Sequence, residues 1–328
     1  VTHSRVVERD FPFSDPVEAR EDVLIGAWRM PRQLLGAQTY DGHASIHDDA
    51  TAQRLGFRGG TIEGPTHFSQ IAPLCVAAYG PQWFESGCIS AHYRNPCFEG
   101  DRIRALLSKP KEGASQSAVW IEKEDGTEIL RGTASVGLNH PPSELEQRLT
   151  RLETLVGPVI LRDVRVGMKT ERRAVAMPMN QIMGALYPFS LADKLRVITE
   201  PSPWYTTERA HESPWARPII PMEMISVLLN YTKAARPFPV RGPAVALFAD
   251  QEIRLIRGPL LVGDSYEIDQ EIVALSGSRR TESMWVRTRV YEPGSDDILA
   301  TMLLNSAILK DSYPNYDAER GSSRDPGS

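Results

Sequence analysis

One short pattern occurs twice in this chain. Arg94-x-Pro96-x-x-x-Gly100-Asp101 is matched by Arg257-x-Pro259-x-x-x-Gly263-Asp264, four identities at a single offset of 163 residues. Gly-Asp followed by alternating residues reads as a turn feeding a strand. A period this long excludes a solenoid and points to two units of one kind in tandem. The length, 328 residues, suits two domains of ordinary size. Further upstream, an offset of 158 lays Phe57 on Trp215 and Ile62 on Ile220. It also lays His47 on Tyr205 and Asp41 on Thr199.

The two halves repeat the order of their elements. In the first, Asp48 or Asp49 can N-cap a short helix through Leu55 that Gly56 ends, with the cap expected of Asp49. Gly64-Pro65 then opens a second helix with Pro at a tolerated first-turn position. Its apolar positions Phe68, Ile71, Leu74, Cys75 and Ala78 recur at helical spacing, and Gly80 closes it. Four strand-like runs follow, Ser86 to Arg94, Arg102 to Ser108, Ala114 to Glu122 and Thr127 to Leu138, with Asp125-Gly126 as a hairpin turn. Val17 to Arg29 has no clean period and fits either a helix or a strand. Ser143 with Glu146 forms a capping box for a polar connector helix to about Leu155. In the second half a helix around Pro221 to Leu229 precedes strands at Ala244 to Ile256, Ser265 to Leu275, Thr281 to Tyr291 and Ile298 to Leu309.

Composition narrows the class. Hydrophobic residues at 41% and charged residues at 24% describe a globular protein with ample core. A net charge of −5 argues against a general nucleic-acid or anionic-membrane binder. No apolar run reaches the roughly 18 residues of a membrane span, and Val1 to Arg20 lacks the apolar centre of a signal peptide. Cys75, Cys88 and Cys97 are odd in number and form no CxxC, so neither a disulfide framework nor a thiolate metal site is expected. A cytoplasmic setting is the simple expectation.

Chemistry concentrates between Gln38 and Gln70. Asp41, His43, His47, Asp48 and Asp49 lie close together and can transfer protons. Gly56, Gly59, Gly60 and Gly64 then lead into the apolar helix. A helix start after glycines offers backbone N–H groups to a developing negative charge. Acid–base groups beside such donors suit chemistry next to a carbonyl.

On these residues the chain resembles the MaoC-like (R)-specific enoyl-CoA hydratases and dehydratases in a tandem arrangement. The likeness is carried by Asp41, His47, Asp49, Phe57, Ile62 and Gly64, and by the strand segment ending in Pro96-x-x-x-Gly100-Asp101. The family's Asn-Pro before the histidine is Ala44-Ser45 here, His47 lies one residue late, and Glu63 precedes the glycine. The resemblance implies an α+β double hot-dog, each half an antiparallel sheet wrapped around a central helix. With Pro141-Pro142 as a boundary and a polar end rich in Gly, Ser, Pro and charge, the expected division is an N-terminal hot-dog over 1–140 carrying the site, a connector over 141–158, a degenerate hot-dog over 159–310 and a disordered tail over 311–328.

The implied activity is addition or removal of water across the α,β bond of an acyl thioester. Asp41 and His47 would hold one water, and the Gly64 N–H would stabilise the enolate. Glu63, His67, Arg58 and His43 are candidate substrate-binding residues. No metal or cofactor is expected beyond the coenzyme A or carrier-protein thioester that belongs to the substrate. The partner is that small-molecule thioester, with no nucleic acid or membrane, and the chain is a monomer acting as a pseudo-dimer or a homodimer. Two other readings stand beside this one. A different enzyme on the same fold would be a thioesterase using a carboxylate such as Glu63, or a scaffold recruited for other chemistry, and a non-catalytic partner subunit would bind acyl groups without turnover.

Overall fold

The computed structural model describes residues 4–6, 11–40, 43–111, 113–230 and 237–322. In the first half, β1 (Ser4–Val6), β2 (Val17–Arg20) and β3 (Val23–Ile25) precede a small hairpin, β4 (Thr39–Tyr40) with β5 (His43–Ala44). Then come α1 (Asp49–Arg54), α2 (Thr66–Tyr79) and α3 (Gln82–Ser86), followed by β6 (Gly87–Tyr93), β7 (Ile103–Ser108), β8 (Gln116–Lys123) and β9 (Glu128–Val136). After α4 (Glu144–Leu149), the second half holds β10 (Arg173–Ala176), α5 (Leu191–Leu195) and α6 (Met222–Asn230). It ends with β11 (Ala246–Leu255), β12 (Ser265–Gly277), β13 (Thr281–Tyr291), β14 (Ile298–Leu309) and α7 (Tyr316–Ser322).

The strands of both halves join one antiparallel sheet, in the order β1-β2-β3-β7-β8-β9-β6-β11-β14-β13-β12-β10. Outward from the central pair, β6-β9-β8-β7 on one side is mirrored by β11-β14-β13-β12 on the other. The 163-residue offset carries Ile89 to Glu252 and Ser90 to Ile253. These four pair crosswise, Ile253 with Ile89 and Glu252 with Ser90, so a pseudo-twofold axis crosses the ladder between them.

The motif that organised the sequence builds the same corner twice. Gly100 and Gly263 both have positive φ, 86° and 85°, where a side chain would be strained. Asp101 bonds Arg58 at 2.7 Å, and Asp264 bonds Arg217 at 3.0 Å. The upstream offset holds as well. The Thr61–Phe98 bridge is repeated as Ile219–Leu261, and the Ile62 N–H to Cys97 bond as Ile220 N–H to Leu260.

The sheet curls around α2 and α6, which pack on each other. From Thr66 to Val76 every α2 residue is buried, and Phe68, Ile71, Leu74 and Cys75 belong to the core shared by both halves. Truncating Ile71 or Leu74 to Ala should cost about 2–5 kcal/mol. The three cysteines are free and buried. Among the described residues no helix is long and apolar enough to cross a membrane.

Several local expectations need correcting. The stretch from Val17 is strand, because its short runs pair with each other and with β7. The cap of α1 is Asp48, whose carboxylate accepts the Thr51 N–H at 2.8 Å. Asp49 instead accepts the Gly60 N–H at 2.7 Å and ties the glycine turn to the helix. The connector helix has the expected Ser143–Glu146 capping box but ends at Leu149. The disordered tail expected over 311–328 is ordered in part. Residues 316–322 form α7, because Tyr313 and Tyr316 bury their rings and Tyr316 donates to Glu282 at 2.9 Å. Residues 323–328 lie outside the described set.

Candidate active site

A cavity of about 460 Å³ lies between the halves. Its first-half wall includes His47, Glu63, Gly64 and His67, and its second-half wall includes Lys194, Glu223, Val227 and Leu304.

His47 stands between β5 and α1. The Thr61 N–H donates to the Ile46 carbonyl, and the His47 N–H donates to the Ser45 hydroxyl at 3.1 Å. Gly60 makes this close turn possible, since a Cβ there would lie 2.1 Å from the His47 carbonyl oxygen. The His47 ring is fixed by a 2.7 Å contact from Nδ1 to the Thr61 carbonyl oxygen. A carbonyl only accepts, so Nδ1 carries the proton and Nε2 keeps its lone pair. Burial holds the imidazole below its ordinary pKa, with Lys194 adding to the effect and Glu63 and the Thr61 carbonyl opposing it. His47 is therefore a neutral base at physiological pH.

Gly64 sits at the start of α2. Its N–H has no acceptor among the described residues, and the residue lines the cavity. A Cβ at this position would lie 2.6 Å from the Tyr93 ring, so only glycine admits that ring. Tyr93 is held from the other half, by donation to Gln251 at 3.1 Å.

Beside these groups lies a buried charge cluster. Lys194 Nζ is 2.9 Å from Glu223 Oε2, 3.0 Å from the Thr66 hydroxyl and 3.5 Å from Glu63 Oε2. Ser190 and Asp193 form a capping box that starts α5 and delivers Lys194 inward. Glu63 accepts the Leu34 N–H at 3.3 Å and the Thr66 hydroxyl at 3.0 Å. Burial opposes the charge on Glu63, but Lys194, His47 and backbone N–H groups outweigh it and hold the carboxyl below its usual range. Glu223 moves the other way, pushed up by burial and by Glu63 against the pull of Lys194. His67 is neutral, its pKa lowered to about 4 by burial, and its Nδ1 lies 2.9 Å from Gln70.

No model of a known protein family matches this chain, and no curated protein sequence does. Solved structures do. A MaoC-domain dehydratase from Chloroflexus aurantiacus J-10-fl superposes over 89% of this chain and 96% of its own, with a TM-score of 0.52 and 13% identity. A conserved hypothetical protein from Mycobacterium tuberculosis, described as having a double hotdog fold, superposes over 87% and 96%, with a TM-score of 0.50 and 10% identity. The chain is a double hot-dog. At these identities the likeness establishes the fold, not the reaction.

Within this double hot-dog, His47, Glu63, Gly64 and His67 come to one cavity. Arg58 does not: its guanidinium is exposed, bonded to Asp101 and stacked on Phe98. His43 lies in β5 opposite Tyr40. Asp41 lies outside the described residues. Lys194, Glu223, Tyr187 and Asn230 also line the cavity and were not foreseen. Only Glu223 had a sequence signal, as a carboxylate inside an apolar helical run.

The corresponding place in the second half is filled. The Ile219 N–H donates to the Trp204 carbonyl as the Thr61 N–H does to Ile46, which sets Tyr205 where His47 stands. Tyr205 is buried against Phe13 and Phe84. Met222, fully buried, replaces Gly64. Arg29 reaches across from the first half to bond Glu200 at 2.8 Å.

Proposed function

We propose that the cavity adds water to, or removes it from, the α,β bond of an acyl thioester. The observation that supports this most is that His47, with Nε2 unpaired among the described residues, and Gly64, whose N–H has no acceptor among them, line one cavity. In the hydration direction, Nε2 takes a proton from water as the water oxygen bonds to the β-carbon. The π electrons move toward the thioester carbonyl, whose oxygen accepts the Gly64 N–H. A donor of this kind is worth about 3 kcal/mol in the transition state. The imidazolium then returns its proton to the α-carbon from the same face, and the negative charge of Glu63 favours the imidazolium while it lasts. Asp41, which the family resemblance pairs with His47, is proposed as the second group holding the water. The apolar wall of Val227, Met284, Val286 and Leu304 suits an acyl chain.

Glu63 is less suited to the thioesterase alternative. Both its oxygens already accept hydrogen bonds, and Lys194 lowers its basicity. The test is loss of enoyl-thioester absorbance with a trans-2-enoyl-CoA, run beside an assay for free thiol. Hydration that falls about 10²–10⁴-fold in His47→Gln supports the proposal. Thiol release without hydration overturns it.

A further inference from the structure

The cavity brings a lysine from one half against a glutamate from the other. An ammonium has three N–H donors. Those of Lys194 face the Thr66 hydroxyl, Glu223 and Glu63, and the side chain is only 3% exposed. Its only route to the reaction is through its neighbours. Glu63 is the neighbour that lines the same cavity as His47, two residues along the chain from Thr61, whose carbonyl holds the imidazole at 2.7 Å.

We propose that Lys194 is a positioning residue for His47. It holds Glu63 as an oriented carboxylate beside the imidazole, and Glu63 in turn steadies the imidazolium that forms when His47 takes a proton. The active site is then composite: the base comes from the first half and the group that tunes it comes from the second. This rests on His47 being the base of the proposed reaction.

The direction of the effect follows from the groups around the ring. His47 faces Glu63, Lys194 and the Thr61 carbonyl. Glu63 faces Lys194 and His47, and its charge also reaches His67, Tyr187 and Glu223. Without Lys194, burial is no longer outweighed and Glu63 takes up a proton. His47 then loses two influences of opposite sign. The pull of Glu63 is the larger, so the net result is a weaker base.

The experiment is an NMR titration of the His47 ring in the full chain, its resonance identified by its loss in His47→Gln. Lys194→Met and Glu63→Gln should each move the midpoint to lower pH, and the double variant should move it no further than Glu63→Gln alone. An unmoved midpoint in Lys194→Met means a merely structural lysine and overturns the proposal. A midpoint moved to higher pH means that Lys194 acts on His47 only as a nearby positive charge, which also overturns it. If Lys194→Met does not fold, Glu63→Gln decides, since an unmoved midpoint there removes the link through which Lys194 acts. The titration needs no substrate, so its outcome stays separate from whether an enoyl thioester turns over. In the pH–rate profile the acid limb of kcat/KM, which reports the free enzyme, should follow the NMR midpoint.

Discussion

The two halves build the same corner, the same backbone bonds and the same central helix, yet among the described residues the cavity opens beside His47 and not beside its counterpart Tyr205. At the first position His47 meets a carbonyl through Nδ1 and leaves Nε2 free. At the second, Tyr205 is packed among rings and its hydroxyl has no partner among the described residues. Gly64 leaves room for Tyr93, whereas Met222 fills its own space. The framework is thus set by the turn and strand pattern, and the chemistry by a few side chains placed on it. The second copy now serves the first, lending it Lys194, Glu223 and an apolar wall.

The sharpest way to break this contrast is to alter the equivalent pair. His47→Gln should lower turnover of an enoyl thioester by about 10³-fold, close to 4 kcal/mol of barrier. Tyr205→Phe should leave turnover unchanged, and a matching loss there would mean that both copies react. Next in size is the buried ion pair between the halves. Arg29→Met leaves Glu200 buried without its partner and should cost roughly 3 kcal/mol in denaturant unfolding, with kcat of the folded protein preserved. Gly64→Ala comes third: the added methyl collides with Tyr93 and shifts the N–H, and kcat should fall about a hundredfold with little change in thermal midpoint.

The smallest effect is on pH dependence. Burial lifts the Glu200 carboxyl to about 7, against the pull of Thr199 and Arg29. The folded protein therefore holds a proton that the unfolded chain has released between the ordinary glutamate pKa and about 7. The stability that this group contributes is complete below the ordinary value and is lost as pH rises through about 7. Glu200→Gln should flatten the fall in unfolding free energy between pH 5 and 8, read by urea titration at each pH. An equally steep fall would place the titrating group elsewhere.

Turn chemistry and periodicity made much of this fold legible. The paired Arg-x-Pro-x-x-x-Gly-Asp segments marked the two halves, and the eight long strands follow alternation between turn residues. The strands at Val17–Arg20 and Val23–Ile25 were ambiguous because three or four residues carry no period. The site was legible where local spacing carries it, at His47, Glu63 and Gly64. Lys194 was not, since a lysine in a capped turn reads as solvated and only the long path from β10 to α6 brings it inward. Arg58 stands apart from the cavity because a carboxylate 43 residues away, Asp101, holds its guanidinium at the surface.

The ladder between β6 and β11 has a consequence for assembly. A half hot-dog made as its own chain would expose the edge of β6 until it met a partner, an open invitation to pair with any other strand. Here the partner edge travels on the same polypeptide. Its effective concentration is set by the length of the tether, whatever the number of copies in solution. Dilution cannot separate the halves, and because only one of them carries the proposed base, each chain should bind a single equivalent of a tight inhibitor.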